Sequence, residues 1–156
     1  MGELQAEWTV EIDAPRARCY EVAADVPGAV RWQGTLKSVE VLETDADGRA
    51  TLVESVSDAA VREAKSTLRF AYDPPDGLSW EQEKGDLKWL VGNWLFEELD
   101  GGSRTRATYA LHADTGRVLG LLLRGPVEAK VKEMLTKGAA EGLKEFVENG
   151  ESQQES

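Results

Sequence analysis

Between residues 4 and 13 the even positions Leu4, Ala6, Trp8, Val10 and Ile12 are apolar, while Glu7, Thr9, Glu11 and Asp13 are polar. A two-residue period places alternate side chains on opposite faces of an extended chain, so a half-buried first strand is predicted here. Asp13-Ala14-Pro15 then opens a helix, with Asp13 or Ala14 at its cap and Pro15 in the first turn, where no N–H is needed. Ala17, Tyr20, Val22, Ala23 and Ala24 follow at helical spacing, and Pro27-Gly28 is expected to stop the helix. A short second helix or turn over residues 29–33 delivers Trp32 to the next strand.

From Leu36 to Ala113 the chain reads as short alternating runs separated by turn chemistry, the pattern of an antiparallel meander. Strands are predicted over 36–43 and 50–56, joined by Asp45-Ala46-Asp47-Gly48, whereas residues 57–63 lack a strand period and read as a loop or irregular strand end. Leu68, Phe70 and Tyr72 share one face of a strand over 65–73, and after Pro74-Pro75-Asp76-Gly77 the residues Leu78, Trp80 and Gln82 oppose Ser79, Glu81 and Glu83. Residues 87–99 are apolar on both faces, and Gly92 in their middle suggests a bulge or sharp curvature. The last strand, 104–113, turns Ala107, Tyr109 and Leu111 inward.

A helical pattern then runs from Thr115 or Gly116 to about Asn149, with Pro126 dividing a short apolar segment, 117–124, from a long helix, 126–148. In the long part Val127, Val131, Met134, Leu135, Ala139, Leu143, Phe146 and Val147 form one stripe, and Lys and Glu side chains occupy the rest. A solitary helix of this length buries its stripe only under something broad, and the meander supplies the cover. A curved sheet gripping one helix is expected to leave a cavity between them. One domain is expected over 1–149, with a disordered polar tail over 150–156.

At 156 residues and 41% hydrophobic content the chain suits one core. Its formal charge of −11 opposes phosphate backbones and anionic membrane surfaces, so nucleic acid is not an expected partner. Cys19 is the only cysteine and cannot form an internal disulfide, which fits a reducing compartment and a small buried hydrophobe. Met1-Gly2-Glu3-Leu4-Gln5-Ala6 lacks the parts of a secretory signal and of a myristoylation site, and the most apolar run, 118–123, is far short of the roughly 20 residues that span a bilayer. A soluble, cytoplasmic protein without integral membrane association is the expectation.

Ile12-Asp13-Ala14-Pro15 followed by Tyr20-Glu21-Val22-Ala23-Ala24-Asp25, then Trp32 with Ser38-Val39-Glu40-Val41-Leu42, resembles the first strand, first helix and aromatic-then-strand signature of START-like (SRPBCC) proteins. Gly85-Asp86-Leu87-Lys88-Trp89-Leu90, Trp94-Leu95-Phe96 and Thr105-Arg106-Ala107-Thr108-Tyr109 resemble the paired late strands of the polyketide cyclase/dehydrase and coenzyme Q-binding branch of that superfamily. Arg31, where many members carry Pro, departs from the pattern. The resemblance spans nearly the whole chain. It implies an α+β helix-grip fold: a curved antiparallel sheet of about seven strands wrapped around a long C-terminal helix, with two short helices after the first strand.

The residues offer little to a catalyst. His112 is the only histidine and lies opposite in parity to Tyr109 and Leu111, hence on the solvent face, so Ser–His–Asp and Cys–His machinery is not expected. No zinc-ligand set, phosphate loop or dinucleotide fingerprint is present, and no catalytic residue, metal or cofactor is expected. Glu81, Glu83, Glu97 and Glu98 read as a solvated sheet face.

The aromatics remain. With the resembled fold, Trp32, Phe70, Tyr72, Trp80, Trp94 and Tyr109 are expected to line a cavity that Leu122, Val127 and Met134 close from the helical side, while Trp8 and Trp89 fill the core. The expected function is binding or carriage of a hydrophobic small molecule: a lipid, an isoprenoid quinone or an aromatic metabolite. The alternative is a polyketide cyclase/dehydrase-type enzyme acting on a poly-β-ketone in the same cavity, for which Tyr72, Tyr109, Ser66 and Arg69 are the candidate groups, Arg69 pointing outward.

Overall fold

A computed structural model describes residues 3–58, 63–116 and 125–150. Strand β1 (Glu3–Ile12) realises the even-position alternation: Leu4 and Ile12 are buried, Ala6, Trp8 and Val10 are half-buried, and every odd residue is exposed. Helix α1 (Arg16–Ala24) starts one residue later than its sequence suggests, because Pro15 itself is the cap. Its carbonyl accepts bonds from the N–H groups of Arg18 and Cys19, and no side chain caps the helix. Pro27-Gly28 do not end the helical path. After α1 the chain tightens into a 3-10 turn, Val26–Arg31, with Pro27 in its first turn, where a missing donor is tolerated.

The meander comprises β2 (Leu36–Thr44), β3 (Ala50–Asp58), β4 (Glu63–Asp73), β5 (Gly77–Gly85), β6 (Trp89–Leu99) and β7 (Arg104–Asp114). With β1 they form one seven-stranded sheet in the order β1-β7-β6-β5-β4-β3-β2, every neighbouring pair antiparallel. The region expected to be a loop at 57–63 is narrower than its sequence suggests: Ser57 pairs with Ala64 and Asp58 with Glu63. Backbone ladder bonds form there without an alternating side-chain pattern; residues 59–62 lie outside the described set.

Gly92 marks no bulge. It pairs in regular register with Trp80 on β5 and with Leu111 on β7. Its reason is steric, since a Cβ at this position would sit 2.4 Å from the indole of Trp80, which lies across the glycine. The register shifts occur instead between β2 and β3 and at Thr67/Leu68 between β4 and β5.

Helix α2 (Pro126–Glu145) crosses the concave face and ends in a wider π turn, Phe146–Gly150. Val131, Ala139, Ala140 and Leu143 are its buried apolar residues. Gly142 allows the closest approach: a Cβ there would meet the carbonyl oxygen of Trp32 at 2.1 Å, so the helix rests directly on the backbone that follows the 3-10 turn. At its C-terminal end Lys144 Nζ donates to the carbonyl of Glu11 at 2.6 Å, and the Glu148 carboxylate accepts from the backbone N–H of Asp13 at 2.7 Å. These bonds tie the end of α2 to the junction of β1 and α1. The expected segment 117–124 and tail 151–156 lie outside the described residues.

Trp8 faces the helix but is half-buried, with the Lys137 ammonium 5.5 Å from its ring centroid. Trp89 is not a core residue. It is half-buried on the outer face, where the edge of its ring meets His112 at 4.8 Å between centroids.

Candidate functional site

The inner faces of β3 to β7 carry large side chains at alternate positions, and the 3-10 turn and α2 stand off from them. Between these layers lies a cavity of about 160 Å³. Five aromatics on its wall form a continuous series. Phe70 meets Trp80 at 5.6 Å between centroids, Trp80 meets Tyr109 at 5.6 Å, Tyr109 meets Trp94 at 4.7 Å, and Trp94 meets Trp32 at 6.0 Å. The last two contacts are edge-on, at 61° and 62°, which suits the ring quadrupoles. The strand register explains the series: Trp80 is opposite Phe70, and Trp94 is opposite Tyr109.

Of the nine side chains expected on the cavity, these five are brought together there. Tyr72 is not. It continues the inward parity of Leu68 and Phe70, but at the far end of β4 its hydroxyl donates to the carbonyl of Ala50 and Arg49 covers its ring at 5.2 Å. Val127 is 42% exposed in the first turn of α2, and Met134 is half-buried off the cavity wall. Val131 and Leu135, one turn apart on the same helix line, contribute that wall in their place. Leu122 lies outside the described residues.

Ser66, a candidate for the enzymatic alternative, is on the wall, but sequence reasoning missed other polar parts of the lining. Ser55 shares the inward parity of Val53, so alternation could have found it; Gln33 and Thr35, in the connection to β2, carry no such signal. Ser66 donates to Gln82 Oε1 at 2.9 Å, and Gln82 Nε2 donates in turn to the carbonyl of Leu87 at 2.8 Å. Gln33 Nε2 donates to the Tyr109 hydroxyl oxygen at 3.4 Å. Burial pushes the Tyr109 hydroxyl up to about 12, although the bond from Gln33 acts in the opposite direction. Trp32 Nε1 is buried and, among the described residues, has no hydrogen-bond partner.

No Asp, Glu, Lys, Arg, His or Cys is among the described residues on the cavity wall. Tyr109 is the one titratable group among those described residues. Arg69, a candidate for the enzymatic alternative, lies on the outer face paired with Glu83 at 2.8 Å and Glu43 at 3.2 Å. His112 likewise stands outside the cavity, its Nε2 2.6 Å from a Glu3 carboxylate oxygen. No described helix is long and apolar enough to cross a membrane.

Comparison with known proteins places this architecture. A START superfamily protein from Mycobacterium smegmatis superposes with a TM-score of 0.80 at 17% identity, over 93% of this chain and 97% of that one. A protein from Thermus thermophilus gives 0.79 at 22% identity, over 94% and 98%. The Zhui aromatase/cyclase from Streptomyces sp. R1128 gives 0.73 at 22% identity, over 94% of both chains. At these identities the likeness shows the helix-grip fold. No curated protein sequence matches the chain. The family described as "Polyketide cyclase / dehydrase and lipid transport" matches residues 12–138, most of the chain, and both the late-strand motifs and the first helix fall inside that match. The chain belongs to this polyketide cyclase/dehydrase and lipid transport family.

Proposed function

We propose that the chain binds an uncharged hydrophobic small molecule in the cavity beneath α2 and carries it without transforming it. The observation that carries this reading is the lining: among the described residues it has five aromatics, many aliphatic side chains, a few hydroxyls, the Gln33 amide and a single titratable group, Tyr109, that burial keeps protonated. Such a wall supplies binding energy by covering apolar surface, at about 25 cal/mol per Å², and needs no reacting group to do so. The volume supports a compact ligand. A cavity of about 150 Å³ holds benzene, so one of about 160 Å³ suits one or two fused rings better than a lipid or polyprenyl chain. An aromatic metabolite is therefore the favoured class. The charge of −11 supports a reading without nucleic-acid contact, in a cytoplasmic protein folded as one domain over 1–149 with a polar tail.

The second reading, a cyclase or dehydrase acting on a poly-β-ketone, draws on the family's description and on the likeness to an aromatase/cyclase. Aldol closure and water loss require a group that accepts a proton from carbon. Among the described wall residues Tyr109 is a donor near neutral pH and Ser66 is engaged with Gln82. Native mass spectrometry of protein purified from its own host tests the choice. A co-purifying lipophilic mass is expected; empty protein that turns over a poly-β-ketone mimic would establish the second reading instead.

A further inference from the structure

We infer that the outer face of the sheet, centred on Asn93 of β6, is the interface for a second copy of this chain, paired about a two-fold axis that runs along β6. This role goes beyond the binding reading above and does not depend on what the cavity holds.

An antiparallel sheet that leaves one face in water alternates apolar and polar residues along each strand. β6 does not, although it is an interior strand. Its inner side chains Leu90, Trp94 and Phe96 pack in the core, while on the outer face Trp89 is half-buried and Val91 and Leu95 are 40% and 44% exposed. The described helices α1 and α2 lie on the inner face and give these outer residues no cover. Neighbouring side chains leave room for a partner. Asn93 pairs with Ser79 on β5 and with Ala110 on β7, so small groups flank it across the middle of the face.

The charges around this strip say what the partner is. On one side of β6 the outer face carries Arg106 and His112 on β7, then Glu7 on β1; on the other it carries Glu81 on β5, then Arg69 on β4. A two-fold axis along β6 exchanges β7 with β5 and β1 with β4, so on each side a basic strand of one copy lies over an acidic strand of the other. Among the described residues Arg106, Glu7 and Glu81 have no ion pair within the chain, which leaves them for the partner. A partner of a single sign would be attracted on one side of the strip and repelled on the other. Asn93 lies on the axis, where its amide meets its own copy, donating and accepting at once. Sheets packed face to face stand about 10 Å apart, which brings Val91 and Leu95 against their counterparts. The footprint from β1 to β4 is roughly 600 Å² per copy, below the roughly 800 Å² of a standard interface, so the dimer should dissociate in roughly the tens of micromolar.

Analytical ultracentrifugation of the full chain tests this, at about 0.15 M salt, where a screening length of about 8 Å limits repulsion between two copies of charge −11. A monomer–dimer equilibrium is expected across concentrations from about a tenth of to ten times the dissociation constant. Leu95→Glu, which sets a carboxylate against its own image on the axis, should weaken the dimer by roughly tenfold or more. Leu42→Glu, the same change at a 46% exposed leucine on the edge strand β2, should leave it within about twofold. Asn93→Cys gives a second readout: a residue on the axis meets itself, so a short bis-maleimide should join two chains there, whereas wild type, whose Cys19 is buried, and Leu42→Cys should stay uncrosslinked. A chain that is monomeric throughout overturns the inference and leaves the face to a different protein. A dimer that Leu95→Glu and Leu42→Glu weaken equally, or one that Asn93→Cys does not crosslink, overturns it as well. Should Leu95→Glu not fold, wild-type sedimentation and the Asn93→Cys crosslink decide alone.

Discussion

Gly92→Ala adds one methyl group where the structure has no room for it. The new Cβ would stand 2.4 Å from Cε2 and Nε1 of Trp80 and 2.6 Å from its Cζ2, against 3.4–4 Å for ordinary contact, so the indole must retreat by about 1 Å. It cannot retreat freely. Phe70 and Tyr109 each hold it at 5.6 Å between centroids, and the open direction is the cavity. Overpacking of this kind costs about 1–3 kcal/mol, partly offset by the ~0.5–1 kcal/mol gained when a strand glycine is replaced by alanine. The net loss should be about 1–2 kcal/mol, read as a lower urea midpoint with an unchanged slope. Because the displaced ring enters the binding space, a lipophilic fluorescent probe should also bind more weakly. Trp80→Leu removes the clashing atoms, so in that background Gly92→Ala should be neutral or stabilising by about 0.5–1 kcal/mol, giving a coupling of roughly 2 kcal/mol in a double-mutant cycle. An equal penalty in both backgrounds, or no penalty in the wild type, would refute the steric account of Gly92.

Two further outcomes are expected. Phe96 is 1% exposed and absent from the cavity wall, whereas its stacking partner Trp94 is 4% exposed and on it. Phe96→Ala should cost the roughly 3–5 kcal/mol of a packed aromatic, and Trp94→Ala less despite removing more atoms, while weakening probe binding. Equal costs by denaturant unfolding, with probe binding intact, would make Trp94 a core residue. For Tyr109 the folded value of about 12 lies above the unfolded 10, so below pH 10 both states hold the proton and no stability is lost. Between pH 10 and 12 the unfolded state releases it first, and stability falls by up to about 2–3 kcal/mol. Tyr109→Phe should flatten that decline; unfolding curves that fall in parallel for mutant and wild type across this window would contradict the burial of the hydroxyl.

The strands were legible because each buries one face, and a two-residue period is a local property of the chain. Leu4 to Ile12, Leu68 to Tyr72 and Ala107 to Leu111 all point as their alternation says. With strand parity and the late-strand motifs, the family and its helix-grip fold could be read before any coordinates. Parity also placed Phe70, Trp80, Trp94 and Tyr109 on the inner face, and His112 and Arg69 on the outer.

Parity does not say how far along a strand the cavity extends, and there the reading of the sequence failed. Tyr72 has the same parity as Phe70 but lies beyond the cavity, bonded to Ala50, and Val127 belongs to the helical stripe yet sits in an exposed first turn. Both depend on where α2 crosses the sheet, which is decided by contacts between residues distant in sequence. Gly92 shows the same limit. In sequence it is a strand breaker; in the fold it is the space that Trp80, paired across from it on the next strand, requires. The Trp32 N–H, unpartnered among the described residues, is likewise invisible to the sequence, since an orphan donor is defined by everything around it. Local periodicity thus determined the elements and their faces, because it needs only neighbours along the chain. The cavity and its volume were decided by tertiary packing, because they exist only between surfaces that the chain brings together from afar.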